Sequence, residues 1–243
     1  MFDRPHHRLV ADVLHRLDGP LLAEHSCWFG GGTAIALSCG EYRESVDIDF
    51  LVSDTVAYRS LRQLVRTEGL AALAGGELDL VRPARVDNYG IRAVVRAGDV
   101  PIKFEIIQEG RIDLETTVDQ EVICGVRALT RTDQVASKLL ANDDRWADPS
   151  TFSRDLVDLA MMAPSSEELA AGAGKAVAAY GSTVGTSLRD AVEQLRRRPQ
   201  RLDECLRALQ MHATRAEVWQ CIRTLGTRCA GIGVVGSGPL DLT

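Results

Sequence analysis

The chain has 243 residues, a formal charge of −6, and is 45% apolar and 26% charged. These are the proportions of a folded, soluble protein of one large domain or two small ones, and they exclude disordered, collagen-like and coiled-coil chains. No apolar run approaches the roughly 18–20 residues of a membrane span, and the opening MFDRPHHRLVADVLHRL carries charges where a signal peptide is apolar, so a cytoplasmic protein with no membrane partner is expected.

In chain order, Leu9, Val10, Val13, Leu14 and Leu17 recur at helical spacing over residues 7–18, and Gly19-Pro20 breaks that helix. The stretch CWFGGGTAIALSCG reads as a short apolar strand, three glycines and a small-residue helix. VDIDFLV (46–52) is an apolar strand that carries two acids, and 56–74 reads as a helix. Strands follow at 77–83, 90–98 and 100–108, the last two joined by a Gly98-Asp99 hairpin turn, and then at 121–130. From residue 132 the period is helical throughout: 132–146, 151–162, 166–180, 187–198, 202–212 and 214–227. The expected class is therefore α+β. A mixed sheet flanked by helices fills 1–130, an all-helical lobe fills 131–230, and a flexible glycine-rich tail fills 231–243. Gly231, Gly233 and Gly236 in that tail match G-x-G-x-x-G, but only seven residues follow Gly236, too few for the helix and the acid about 20 residues on that a dinucleotide site needs, so the motif is discarded.

Charge and reactive side chains are unevenly spread. Residues 185–230 hold nine arginines against five acids, whereas 1–184 hold 19 basic against 28 acidic groups. Solvated helix faces account for such a split, and so do an acidic half that hosts cations and a basic half that meets a polyanion. Of 28 basic residues only Lys103, Lys138 and Lys175 are lysines, which singles them out because lysine and arginine differ at a phosphate. The six cysteines form no C-x-x-C pair, which argues against zinc and against a disulfide framework. The five histidines show no ligand spacing with carboxylates and are assigned no role, and the three tryptophans are expected in core or interface.

The chemistry starts at Asp47 and Asp49. Residues two apart on a strand share a face, so both carboxylates point one way while Val46, Ile48 and Phe50 point into a core. Two like charges side by side repel, and a divalent cation between them removes the conflict; Mg²⁺ prefers such oxygen ligands. Glu105, in Ile102-Lys-Phe-Glu-Ile106, is again an acid inside an apolar strand. Paired beside the first strand it would bring a third carboxylate, a set that suits two Mg²⁺ ions about 3.5–4 Å apart around a phosphoryl transfer. Gly30, Gly31, Gly32 and Thr33, between a strand and a helix, let backbone N–H groups and the helix dipole approach an anion. Each of these features alone has a plain structural explanation: a solvated strand face, an edge-strand charge, a tight turn.

Together, strand–Gly-Gly–helix, Asp-x-Asp and a hydrophobic–acid–hydrophobic strand resemble the nucleotidyltransferase superfamily related to DNA polymerase β. The 14-residue spacer between Gly32 and Asp47 is at or just above the usual length. The longer string GGTAIAL…YRESVDIDF is similar to the AbiEii/MenT-type toxin branch of bacterial toxin–antitoxin systems, with GGTxxxL followed by RxSxDxD at Arg43, Ser45, Asp47 and Asp49. The resemblance covers roughly 28–162 and implies a lysine and an aspartate motif in the helical half, met by Lys138 and by Asp155 and Asp158, three apart on one helix face. Asp158, set among apolar neighbours, is expected to be the buried one of the two.

The resemblance implies an enzyme that transfers NMP from an NTP to an acceptor. Asp47, Asp49 and Glu105 would hold Mg²⁺; Gly31, Gly32, Thr33 and Ser45 would hold phosphates; Lys138 would face the triphosphate. Arg43 would brace its loop or bind phosphate, and Asp158 or Asp155 would orient Lys138 or meet substrate. It further implies the 3′ end of tRNA or another RNA as acceptor, and a partner antitoxin. Arg189, Arg196, Arg197, Arg198 and Arg201 are candidate RNA contacts. A nucleotidyltransferase of small molecules or proteins, as antibiotic-modifying enzymes are, and a catalytically silent nucleotide-binding interaction protein are the alternatives.

Overall fold

A computed structural model of the chain describes residues 2–76 and 78–230. It divides into two compact units. The first runs to Gln134 and regains Leu209–His212, and the second holds Val135–Ala208 and the chain from Ala213 onward.

The first unit opens with α1 (Pro5–Leu14), whose proline sits in the first turn, where a missing N–H goes unmissed. Gly19-Pro20 ends no longer helix; it opens a second short one, α2 (Gly19–Glu24), capped by the Asp18 side chain on Leu21 N. β1 (Trp28–Gly30) runs straight into α3 (Gly31–Ser38). β2 (Ile48–Val52) and α4 (Thr55–Glu68) follow, the helix capped by Asp54 on Val56 N and Ala57 N, and a 3-10 turn at Leu70–Leu73 completes the segment. The strand expected over 77–83 does not form among the described residues, where one isolated bridge, Leu80 to Val95, stands in its place. The strand forms instead at β3 (Arg85–Val86). β4 (Gly90–Ala97) and β5 (Val100–Gln108) make the expected hairpin, with Ala97 opposite Val100 and Gly98 at φ +58°. The expected strand at 121–130 is a two-stranded ribbon, β6 (Val122–Ile123) and β7 (Val126–Arg127). Cys124 and Gly125 both take positive φ at its turn, as a two-residue hairpin requires.

The main sheet has the order β1-β2-β5-β4-β3. β2 and β5 are parallel and every other pair is antiparallel. Strand alternation sorts its two faces. Ile48, Phe50 and Val52, Ile102, Phe104 and Ile106, and Ile91, Ala93 and Val95 are buried in one cluster with Val10, Val13 and Leu14 of α1 and Tyr58, Leu61 and Val65 of α4. Phe29, Phe50 and Phe104 form a tilted aromatic row through that core, with centroids 5.5 and 5.8 Å apart. Val46 departs from the expectation: it precedes the strand and is exposed.

α5 (Arg131–Arg145) begins in the first unit and continues in the second. The second unit is helical, with α6 (Arg154–Met162), α7 (Ser166–Tyr180), α8 (Thr183–Arg197), α9 (Pro199–Ala208) and α10 (Arg215–Arg228). Capping boxes at Ser165/Glu168 and Thr214/Glu217 start α7 and α10. Leu156, Leu159, Leu188, Leu195, Val218 and Ile222 are buried where α10 packs on α6 and α8. No helix among the described residues is long and apolar enough to cross a membrane. The tail at 231–243, with its three spaced glycines, lies outside the described residues.

Candidate active site

The glycine turn and the Asp-x-Asp strand meet because β1 and β2 pair, with Gly30 opposite Asp49. Gly31 begins α3 at φ +68°, in the left-handed region that glycine occupies without steric penalty. A Cβ there would stand 2.5 Å from Asp49 Oδ2 and 3.0 Å from Asp49 Cβ, so the absent side chain leaves the room in which that carboxylate sits. The N-terminal amides of α3 and the carboxylate of Asp49 therefore share one small volume. That combination suits a cation and an anion bound together.

Across the sheet the register continues the same row. Asp49 lies beside Glu105, and Glu105 lies beside Arg92, which lies beside Arg85. Adjacent strands are about 4.8 Å apart, so Asp49 and Glu105 are immediate neighbours on the face opposite the apolar core. Asp47, two residues before Asp49, is half-buried, and its carboxylate makes no hydrogen bond or ion pair among the described residues. Glu105 is engaged on both oxygens: Arg92 Nε lies 3.3 Å from Oε1, and the Lys103 ammonium pairs closely with Oε2. The three predicted acids thus reach neighbouring positions. Among the described residues, however, no three carboxylate, imidazole or thiol groups close on one point as a finished metal cage does. The donors still fit a hard cation. Asp49 offers carboxylate oxygens beside the room that the absent Cβ of Gly31 leaves, Glu105 is one strand away, and Asp47 lies two residues before Asp49.

The loop between α3 and β2 is held by buried polar groups. Thr33, fully buried, donates to the Asp47 carbonyl at 2.5 Å and lies 2.8 Å from Ser45 Oγ, so the second and third motif positions brace the acidic strand. Arg43 is buried and donates to the Glu44 carbonyl at 2.7 Å. His7, which sequence reasoning left without a role, anchors the same loop. The Ser45 N–H donates to its Nε2 at 3.1 Å, which leaves Nδ1 to carry the proton and donate to Glu41 Oε1 at 2.8 Å. Burial pushes the His7 pKa below its ordinary value, against the pull of Glu41. Glu41 also accepts from the amides of Asp3 and Arg4, and its carboxyl is held low by those bonds and by His7, in spite of desolvation. Leu209 O accepts from Glu44 N, and Gln210 O accepts from the Arg4 guanidinium.

In the second unit Lys138, Asp155 and Asp158 come together, all three buried. The Lys138 ammonium lies 2.9 Å from Asp155 Oδ1 and 2.6 Å from Asp158 Oδ2, so both aspartates of the predicted pair meet the lysine. Arg145, one helix face with Lys138, adds bonds of 2.7 and 2.9 Å to the two oxygens of Asp155. Burial raises the Asp155 carboxyl, but Lys138 and Arg145 outweigh it and hold it well below the usual carboxylate range. Two cations and two anions balance, which is how a buried charge cluster becomes tolerable. Of the arginines in the basic segment, Arg196 and Arg197 both pair with Glu193, and Arg189 bonds Thr186. Arg201 pairs with Glu204 and lies 5.1 Å over Phe152, a packing role.

A mixed sheet that carries a glycine turn at one strand end and acids on adjacent parallel strands is the arrangement that the nucleotidyltransferase resemblance implies. Two solved structures share the fold. JHP933 from Helicobacter pylori aligns with a TM-score of 0.54 and 18% identity over 93% of this chain and 90% of its own. An H. pylori chain that carries a provisional nucleotidyltransferase name aligns with a TM-score of 0.54 and 19% identity over 93% of each chain. No curated protein matches the chain. The family described as nucleotidyl transferase AbiEii toxin, type IV toxin–antitoxin system, matches residues 15–220. The chain belongs to the AbiEii family.

Proposed function

We propose that the protein is a Mg²⁺-dependent toxin that moves an NMP from an NTP onto the 3′ end of a tRNA, and that a partner antitoxin restrains it. The observation that carries this reading is the row formed by the Gly31 turn, Asp49 and Glu105, with Asp47 just before the strand. In this reading the acceptor hydroxyl oxygen bonds to the α-phosphorus, and the bond from that phosphorus to the α–β bridging oxygen breaks, so that pyrophosphate leaves. Bound Mg²⁺ supplies positive charge to the triphosphate oxygens. Asp47 and Asp49 would hold it, and Glu105 would complete a second metal position. The amides of Gly31 and Gly32 hold phosphate oxygens at the start of α3, with the Ser45 hydroxyl beside them. Thr33 and Arg43 keep the acidic strand in place. A carboxylate oxygen of Glu105 takes the proton of the acceptor hydroxyl. In the second unit Asp155 and Asp158 orient the Lys138 ammonium, a compact charge.

Charge supports an RNA acceptor. Residues 185–230 are net basic, and Arg189, Arg196, Arg197 and Arg198 are exposed or half-exposed there; such side chains carry affinity for a phosphate backbone without reading its sequence. The test is incubation with each α-labelled NTP, Mg²⁺ and total tRNA, with Asp47→Ala in parallel. Label on tRNA with the wild type alone is the expected result. Label on a small molecule or on protein overturns the acceptor, and nucleotide binding without any transfer overturns the enzyme.

A further inference from the structure

Lys103 is one of only three lysines in the chain, and the proposed chemistry leaves it unused. It stands two residues before Glu105 on β5, so it shares the face of the acidic row. The two cations on Glu105 differ in freedom. Arg92 is tied on its far side to Asp87 Oδ2 at 3.1 Å, and Asp87 is itself fixed by the amides of Tyr89 and Gly90. Lys103 is about half exposed, with 53% of its side chain accessible, and its one ion pair among the described residues is with Glu105. Asp47 and Asp49 also lie near enough to act on its charge. One face therefore holds three acids, a fixed guanidinium and a flexible ammonium.

We propose that Lys103 is the resident counter-cation of the acidic row, holding Glu105 in the nucleotide-free protein in the place a divalent ion would take, so that the metal enters with the nucleotide and not before it. The inference rests on the nucleotidyltransferase reading above. Three neighbouring carboxylates without a cation repel one another. An ammonium on a flexible stem relieves that repulsion and can withdraw, which a guanidinium locked to Asp87 cannot. A free Mg²⁺ ion must displace this ammonium with no compensation. A metal that arrives on a triphosphate brings the anion that the displaced ammonium can then face.

The test is Mn²⁺ binding followed by the electron paramagnetic resonance signal of free Mn²⁺, with and without a non-hydrolysable NTP analogue. It needs no turnover. For the nucleotide-free protein, Lys103→Met is expected to bind Mn²⁺ at least about tenfold more tightly than the wild type, because a positive charge has left the site. Lys103→Arg should stay near the wild type, and Asp47→Asn in the Lys103→Met background should abolish the gain. With the analogue present, wild type and Lys103→Met should bind Mn²⁺ within a few-fold of each other. Equal Mn²⁺ affinity of wild type and Lys103→Met without nucleotide overturns the role of Lys103 and leaves the enzyme reading standing. Failure of the wild type to bind Mn²⁺ even with the analogue overturns the enzyme reading, and the inference with it. Since Lys103 is solvent-accessible and outside the core, these variants are expected to fold, and a matching thermal melt verifies it.

Discussion

Replacing Gly31 by alanine should separate two effects that the structure places at one residue. The first is backbone strain. A non-glycine residue in the left-handed region costs about 1–2 kcal/mol, and Gly31 sits at φ +68°. The second is the clash: the new Cβ would meet Asp49 at 2.5, 3.0 and 3.2 Å, and overpacking of this kind costs about 1–3 kcal/mol. Gly98 provides the control, since it has φ +58° with nothing within 4 Å of its ideal Cβ. Gly98→Ala should therefore show only the strain, and Gly31→Ala should lie about 1–3 kcal/mol beyond it in urea denaturation. The extra loss belongs to the carboxylate, so Asp49→Ala should recover part of it. The double variant should be more stable than the sum of the singles by on the order of 1 kcal/mol. Equal losses at Gly31 and Gly98, or strict additivity with Asp49→Ala, would refute the claim that the glycine makes room for this acid.

Other expectations concern the buried polar groups. Lys138→Met removes the ammonium that both Asp155 and Asp158 bind and should cost about 3–5 kcal/mol by denaturant titration; an asparagine at both 155 and 158 in that background should restore much of it. The Asp155 carboxyl is held below its unfolded value of 3.8. Its contribution is then complete above that value and is lost as pH falls through 3.8 toward the folded pKa, and Asp155→Asn should flatten the acid limb of a stability profile. His7 has its folded pKa below 6.5, so protonation favours the unfolded chain. Its contribution is present above pH 6.5 and declines as pH drops below it, a slope that His7→Gln should remove from a melting-temperature series. Thr33→Val deprives the Asp47 carbonyl of a buried donor and should cost about 1–3 kcal/mol, with transfer activity falling further than the folded fraction.

Much of the acidic face could be read from local pattern. Period-two alternation put Asp47 and Asp49 on one side, and the Gly98-Asp99 dipeptide marked its hairpin, because both depend on near neighbours alone. The adjacency of Asp49 and Glu105 needed more. β2 and β5 are parallel with two strands and a helix between them in sequence, and only the family likeness supplied that pairing in advance. The Cys124-Gly125 turn was hidden because it asks a non-glycine residue to take φ +50°, which no apolar pattern announces. His7 escaped for a different reason. Its partners, Glu41 and Ser45, lie 34 and 38 residues away, and a histidine on a helix carries no local mark of such contacts. Arg92 carried no mark in the sequence and Lys103 stood out only as a rare lysine; the register sets both against Glu105.

The central claim is that the acids on β2 and β5 perform the transfer. The most direct measurement is the rate of labelled NMP incorporation by Asp49→Asn against the wild type, at matched folded fraction and saturating NTP. The isosteric amide keeps the shape beside Gly31 and removes the charge. The account expects the rate to fall on the order of 10³-fold or more; a rate within tenfold of the wild type would contradict it.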